Sequence, residues 1–375
     1  MKRLLVLAIL AAALVIAGVL AQWSPRPVEA ALLLGDLGAG SGDSLFKRIT
    51  PRPDRQKLAV TVDGRSLTGD LYLPGDKAGA GLVLVPGAAK DGKDDPRLVA
   101  LAQTLARARF LVLVPDIANL RAQEISAADR QPIVDALHFL QDERHLPGTG
   151  VAAISYAAIP AVLAALQEPR TDFVVTVGAP YDLTAIVTFF TTGAFREAPG
   201  QPWQHAQPNA YGKWVFVKSN ARRLNDSADR ALLTGIAERK MADETAPVAD
   251  LTAKLGPQGR AVMALLGNDD PAKVPALMRA LPPGIRDEIA AMDLATRDLA
   301  HLQAKLFLIH GRDDRIIPWT ESAVLARMAP RTELTLLDNL SHADLKPGGL
   351  ADAYALWLNV THLLNERDKL AEQRP

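Results

Sequence analysis

Three residues in this 375-residue chain combine side-chain type and position in a way that suits nucleophilic catalysis: Ser155, Asp314 and His342. Ser155 stands directly between an apolar run, Gly150–Ile154, and an apolar helical pattern, Tyr156–Leu166. A serine at so sharp a strand-to-helix turn has its hydroxyl lifted above the sheet edge, where a helix N-terminus favours developing negative charge. The ordinary alternative is an N-cap serine, which the same position accommodates. Ala153 and Ala157 stand where a Gly-x-Ser-x-Gly elbow has glycine, and a methyl is the smallest increment where helix and strand approach closely. Asp314 lies in His310-Gly-Arg-Asp-Asp-Arg-Ile-Ile-Pro318 after the apolar run Lys305–Ile309; His342 ends Leu337-Asp-Asn-Leu-Ser-His342 after the run Glu333–Leu337. Singly, an Asp in a tight turn is structural and a loop His is solvated. Together the three follow strand ends, and the 28 positions from Asp314 to His342 match a strand end, one helix and the next strand.

The elements that must hold these residues are short β-branched runs alternating with helical patterns. A hairpin-like pair, Leu58–Val62 and Leu67–Leu73, turns at Asp63-Gly64. The runs Leu82–Pro86, Phe110–Val114, Gly150–Ile154 and Phe173–Val177 follow, separated by helical patterns at Arg97–Ala108, Ser126–Gln141 and Tyr156–Leu166. This alternation predicts an α/β architecture, a mostly parallel central sheet with helices on both faces and functional loops at the carboxyl ends of the strands. It stops near Tyr181 and resumes at Lys305–Ile309, continuing through helix Trp319–Met328, strand Glu333–Leu337 and helix Gly349–Leu364. The residues between read as several helices, one carrying the stripe Ile285, Ile289, Met292, Leu299, Leu302. Because both ends of this block join strands of one sheet, it is expected to be an inserted cap. The expected division is 1–21 signal peptide or signal anchor, 22–57 linker, 58–180 first part of the core, 181–303 helical cap insertion and 304–375 second part of the core.

The order Ser, Asp, His, with His-Gly-x-x-Asp-x-Ile-Ile-Pro and a late Ser-His, resembles the α/β-hydrolase superfamily over roughly Leu58–Leu364. The resemblance implies an α/β-hydrolase fold of the serine esterase or lipase kind with a helical cap. It implies Ser155 as nucleophile, His342 as general base and then acid, and Asp314 as the carboxylate that orients and stabilises the imidazolium. The family motif places the acid three residues after Gly311, with Asp313 and Asp182 as fallback positions. It also implies an oxyanion hole from the backbone N–H of Tyr156 and one from Pro86-Gly-Ala-Ala-Lys-Asp-Gly92, with Ala88 the expected donor and Ala89 the alternative. Gly87 would let that backbone approach closely; a plain turn after a buried strand is the other reading. Pro86 stands where many relatives have His.

Composition narrows the partners. Lys+Arg and Asp+Glu both count 42, so there is no basic field of the kind nucleic acid requires. With no cysteine, disulfides, thiolate metal sites and a cysteine nucleophile are excluded. The glycines of Gly35–Gly42 do not match a dinucleotide fingerprint, and the remaining His residues show no metal-ligand spacing, His301 and Asp298 at i, i+3 being too few; neither cofactor nor metal is expected. The run Asp91–Arg97 reads as the solvated cap of the next helix, with Asp94 or Asp95 at its N-terminus and Pro96 in its first turn. Eight of the nineteen aromatic residues fall between Tyr181 and Phe216, where they suit an apolar acyl pocket, a small core for the cap, or a membrane-facing lid. Lys2 and Arg3 precede seventeen residues, Leu4–Leu20, without a polar side chain, as in an export signal that is either cleaved after Ala21 or retained as an anchor. The positive residues stay inside, so the chain after Trp23 is expected on the outer side of the membrane. The expectation is an exported serine hydrolase acting on a small ester or acyl substrate. A serine peptidase or acyltransferase on the same triad, and a catalytically silent binding protein of this fold, are the alternatives.

Overall fold

The computed structural model describes residues 26–88, 90–340 and 349–373, so the segment 1–21, Ala89 and His342 lie outside the described residues. Eight strands form the main sheet: β1 (Asp54–Val62), β2 (Arg65–Leu73), β3 (Ala80–Val85), β4 (Phe110–Pro115), β5 (Thr149–Ile154), β6 (Phe173–Val177), β7 (Lys305–Gly311) and β8 (Thr332–Leu337). Their order is β1-β2-β4-β3-β5-β6-β7-β8. The pairs β1/β2 and β2/β4 are antiparallel, and every later pair is parallel. The hairpin turns at Asp63 and Gly64, whose φ of +49° and +75° supply the left-handed pair that a two-residue turn between twisted strands needs.

All residues of β3 and β4 are buried, because helices cover both faces. Val83 and Val85 point into one hydrophobic cluster with Ile133 and Val162, from helices Arg130–His138 and Ala158–Gln167. Leu82 and Leu84 point the other way, into a cluster with Leu33, Ala102 and Leu356 from helices Arg26–Ala39, Pro96–Arg107 and Leu350–Gln373. This period-two division is what a buried parallel strand imposes.

The stretch 22–57 is not a linker in its described part. It carries helices Arg26–Ala39 and Leu45–Ile49, and β1 begins at Asp54. Gly35 and Gly38 weaken the helix by about 1 kcal/mol each relative to alanine. Packing overrides that cost: Ala30, Leu33 and Asp36 are buried against the domain. Burial alone would raise the pKa of Asp36, yet hydrogen bonds from Ser44, Thr104 and Lys47 outweigh it and hold the carboxyl below its ordinary range. The fully buried Arg367 closes the same joint, donating to both oxygens of Glu29 at 2.6 and 2.9 Å and to the carbonyl of Ala108 at 2.6 Å.

Two further expectations change. The pattern Ser126–Gln141 divides into a short turn at Ala127–Asp129, the helix Arg130–His138 and a wider turn at Phe139–Glu143. The stripe from Ile285 to Leu302 is not one helix: helix Pro283–Met292 ends at Asp293, whose side chain accepts from Ala295 N at 3.2 Å and starts a separate turn. Between β6 and β7 the chain is mostly helical, with Leu183–Thr192, Ala210–Ala221, Ser227–Ala242 and Pro257–Leu266 among the inserted helices and one short antiparallel pair, Ala194–Phe195 with Gln204–His205.

Candidate active site

The sheet register brings the expected functional segments to one edge. Ile154 pairs with Val177, Val177 with Ile309, and Leu337 with Gly311. The chain therefore leaves β5 at Ser155, β7 at Arg312 and β8 at Asp338 on the same side. With neighbouring strands about 4.8 Å apart, β5 and β7 are separated by about 10 Å.

Ser155 has φ +61°, a conformation that costs a non-glycine residue about 1–2 kcal/mol. It opens the short turn Ser155–Ala157, while the N-cap of the following helix is Ala157. Ser155 thus occupies the strained turn between strand and helix and is not the N-cap of that helix. Ala153 and Ala157 are 2% and 1% exposed, which is the physical reason for small side chains on both flanks.

Asp314 is buried, whereas Asp313 is exposed. Oδ1 of Asp314 accepts from the backbone N–H groups of Ile316 at 2.8 Å and Ile317 at 3.0 Å. The second fallback, Asp182, caps the helix Leu183–Thr192 through Thr184 N and Ala185 N, which accounts for it structurally. The segment leading to position 342 begins against the Asp314 loop: Arg312 N donates to Leu337 O at 2.7 Å, and a Cβ on Gly311 would lie 1.8 Å from Leu340 O. His342 itself is outside the described residues, so the structure brings together the Ser155 and Asp314 segments and the approach to the third.

No protein-family profile matches the sequence, and no curated protein matches it. Among solved structures it is similar to an acylaminoacyl peptidase from Pyrococcus horikoshii, with TM-score 0.48 and 11% identity over 88% of this chain and 43% of that one. The chain thus spans less than half the length of that peptidase. It is also similar to a thermophilic and thermostable carboxylesterase cloned from a metagenomic library, with TM-score 0.47 and 13% identity over 92% of this chain and 98% of the esterase. A dienelactone hydrolase from Anabaena variabilis gives TM-score 0.44 and 15% identity over 84% of this chain and 98% of that one. The topology is the deciding observation: an antiparallel β2, the exchange of β3 and β4, a strained serine after β5 and helices inserted after β6. The chain has the α/β-hydrolase fold.

In this hydrolase fold the loop after β3 lies beside the elbow, since Val85 pairs with Ala153. Among the described residues a Cβ on Gly87 would meet only Ile154 O, at 4.0 Å. Ala88 is tied to the cap instead. Tyr211 donates its hydroxyl to Ala88 O at 3.2 Å and accepts from Gln123 Nε2 at 2.9 Å.

A narrow cavity of about 50 Å³ opens beside the turn at Ser155, between the core and the inserted helices. Tyr156, Ile186, Val187, Phe190 and Phe216 form apolar walls, and Ser219, Asn220 and Glu288 are its polar lining residues. Glu288 is engaged, accepting from Ser126 Oγ at 3.0 Å and Ala127 N at 2.7 Å. The cap aromatics therefore divide: Phe190 and Phe216 line the cavity as a tilted pair 5.3 Å apart, Phe189 is core, and Trp203 and Tyr211 are exposed. Burial raises the Tyr156 hydroxyl pKa, and the nearby Asp314 and Glu321 raise it further, so the phenol stays neutral.

Sequence reasoning left His310 without a role. It is fully buried, with Nδ1 2.7 Å from Ser322 Oγ and Nε2 2.9 Å from Ile317 O. Its signal was its place after the apolar run Leu306–Ile309 of a buried strand, where a polar ring requires partners on both nitrogens. Glu321 was missed too: it accepts from Tyr181 N at 3.0 Å and Asp182 N at 2.7 Å, fastening the start of the cap to the helix Thr320–Met328. Among the described residues no cluster of His, Asp and Glu could hold a metal ion, and His301 with Asp298 is an exposed surface pair.

Proposed function

We propose that this protein is an exported serine hydrolase that cleaves carboxylic esters through an acyl-enzyme intermediate, with Ser155, His342 and Asp314 as its triad. The observation that carries the reading is the left-handed backbone of Ser155 at the carboxyl end of β5. Strain of that kind persists only where the surrounding structure holds it, and it aims the hydroxyl at the sheet edge. In the proposed reaction Ser155 Oγ attacks the ester carbonyl as its proton passes to His342. The resulting oxyanion is received by the N–H groups of Tyr156 and Ala88, each such donor contributing about 3–4 kcal/mol. His342 then returns the proton to the departing alkoxide, and water releases the acyl group by the same route. Asp314 orients and stabilises the imidazolium. The cavity beside Tyr156 supports an apolar acyl group, because its walls offer hydrocarbon and one aromatic pair.

The export reading rests on Lys2, Arg3 and the apolar run 4–20. Among the described residues no helix is long and apolar enough to cross a membrane.

The test is covalent labelling with a fluorophosphonate, followed by rates on p-nitrophenyl esters of increasing acyl length. Wild type should label and Ser155→Ala should not. Unlabelled wild type, or undiminished labelling of Ser155→Ala, would leave a silent binding protein of this fold. Cleavage of aminoacyl amides with all esters inert would move the assignment to a peptidase.

A further inference from the structure

The C-terminal helix Leu350–Gln373 buries Asp352, Leu356, Val360 and Leu364 and turns another apolar stripe outward. On that stripe Leu350 is 91% exposed, Tyr354 61% and Leu358 37%, the i, i+4, i+8 spacing of one helix face. Between Leu350 and Thr361 the only charged residue is Asp352, which is buried and accepts from Asp338 N and Asn339 N. The patch continues onto the N-terminal helix. The Tyr354 and Trp357 rings lie 5.5 Å apart, and Trp357 Nε1 donates to Pro27 O at 2.7 Å, next to the half-exposed Val28. The charged residues of that helix are occupied elsewhere: Arg26 with Asp368 at 2.7 Å, Glu29 with Arg367, and Asp36 in the core. A surface helix in water carries a charged or polar outer face. The first three turns of the C-terminal helix and the outer face of the adjoining one lack such residues, and together they form a contact surface.

The occupant follows from where the chain enters this surface. Residues 4–20 are a continuous apolar run, and residues 21–25 join it to Arg26. Five residues reach about 17 Å at full extension. A body tethered so closely to a membrane segment holds the region around Arg26 against the interface, and Val28, two residues on, belongs to the charge-free patch. Its Tyr and Trp are the residue types that settle at the lipid–water boundary. On the reading of residues 4–20 as a membrane segment, we infer that the face formed by Val28, Leu350, Tyr354, Trp357 and Leu358 rests on the lipid bilayer, with the N-terminal segment kept as its anchor. Leu350 starts the helix that returns from the carboxyl edge of β8, so this contact places the candidate active-site edge beside the bilayer. Esters dissolved in lipid would then reach it without crossing water.

The absence of cysteine permits a direct test. The full chain bearing Tyr354→Cys or Val28→Cys, or Glu238→Cys on the cap as reference, is labelled with bimane and reconstituted into phosphatidylcholine vesicles with and without nitroxide-labelled lipid. Quenching of about two-fold or more at positions 354 and 28, with none at 238, is expected. If Tyr354→Cys fails to fold, Leu358→Cys takes its place. A vesicle-bound chain quenched no more at the patch than at position 238 would overturn the inference and leave the anchor standing. A chain that loses residues 1–21, or is stripped from vesicles by alkaline carbonate, would overturn both. Fluorophosphonate labelling at Ser155 in the same samples reports separately on the hydrolase reading.

Discussion

His310 Nε2 lies 3.4 Å from Asp314 Oδ2, and both side chains are wholly shielded from solvent. The imidazole is also held at Ser322 Oγ and Ile317 O, so it braces the loop after β7 from below. Asp314 is thereby fixed at both ends: Oδ1 by two backbone donors of its own turn, and Oδ2 within the field of a buried ring. A carboxylate held this rigidly suits an orienting role, where a small rotation would misalign its partner.

Asp314→Asn should therefore keep its fold, because the amide oxygen still accepts from Ile316 N and Ile317 N, while kcat falls by about 10³–10⁴-fold. Asp313→Asn, on the exposed side of the loop, should change kcat by less than about ten-fold. Steady-state ester hydrolysis distinguishes them; the larger loss at position 313 would move the acid there.

Ser155→Gly and Ser155→Ala should both lose labelling and activity, but they should differ in stability. Alanine keeps the left-handed strain and glycine removes it, so the glycine variant should be more stable by about 1 kcal/mol despite its greater entropy when unfolded. Urea unfolding monitored by circular dichroism checks this. An alanine variant of equal or greater stability would mean that the elbow is unstrained.

Gly311→Ala would drive a methyl into the Leu340 carbonyl, 1.8 Å from the ideal Cβ position, and displace the approach to position 342. A loss of about 3 kcal/mol or more, with most of the activity, is expected. Gly87→Ala meets nothing closer than 4.0 Å among the described residues and should be mild. Melting temperatures and ester rates of the two variants, compared side by side, test the contrast.

Glu321 gives stability a defined pH dependence. Burial pushes its carboxyl up to about 8, and the charges of Asp182 and Asp293 add to the rise, against donation from Asp182 N and Tyr181 N. The folded state holds this proton more tightly than the unfolded chain, whose value is near 4.5. The contribution is complete below about pH 4.5 and is lost as pH rises through about 8. Asp293, also pushed up by burial, to about 6, acts with the same sign in a lower window. Glu321→Gln should match wild type near pH 4 and exceed it above about pH 8 by a few kcal/mol, as read from urea midpoints. A difference independent of pH would show that Glu321 does not carry the dependence.

The sequence by itself determined the central strands, because β3 and β4 are short apolar runs whose burial is written in consecutive residues. It also determined that Ser155 follows a strand and that Asp314 and position 342 follow two later ones. Which aspartate is buried was outside its reach: Asp313 and Asp314 are neighbours with identical chemistry, and only the turn closed by Ile316 N and Ile317 N separates them. The helix Arg26–Ala39 was hidden for a similar reason. Its glycines and Pro27 argue locally for a linker, while Arg367, Thr104 and Leu356 that hold it lie far along the chain. His310 as a brace, the cavity beside Tyr156 and the charge-free face around Tyr354 also arise from contacts between distant segments. Periodicity reports which face of an element is apolar; only tertiary packing decides what, if anything, covers that face.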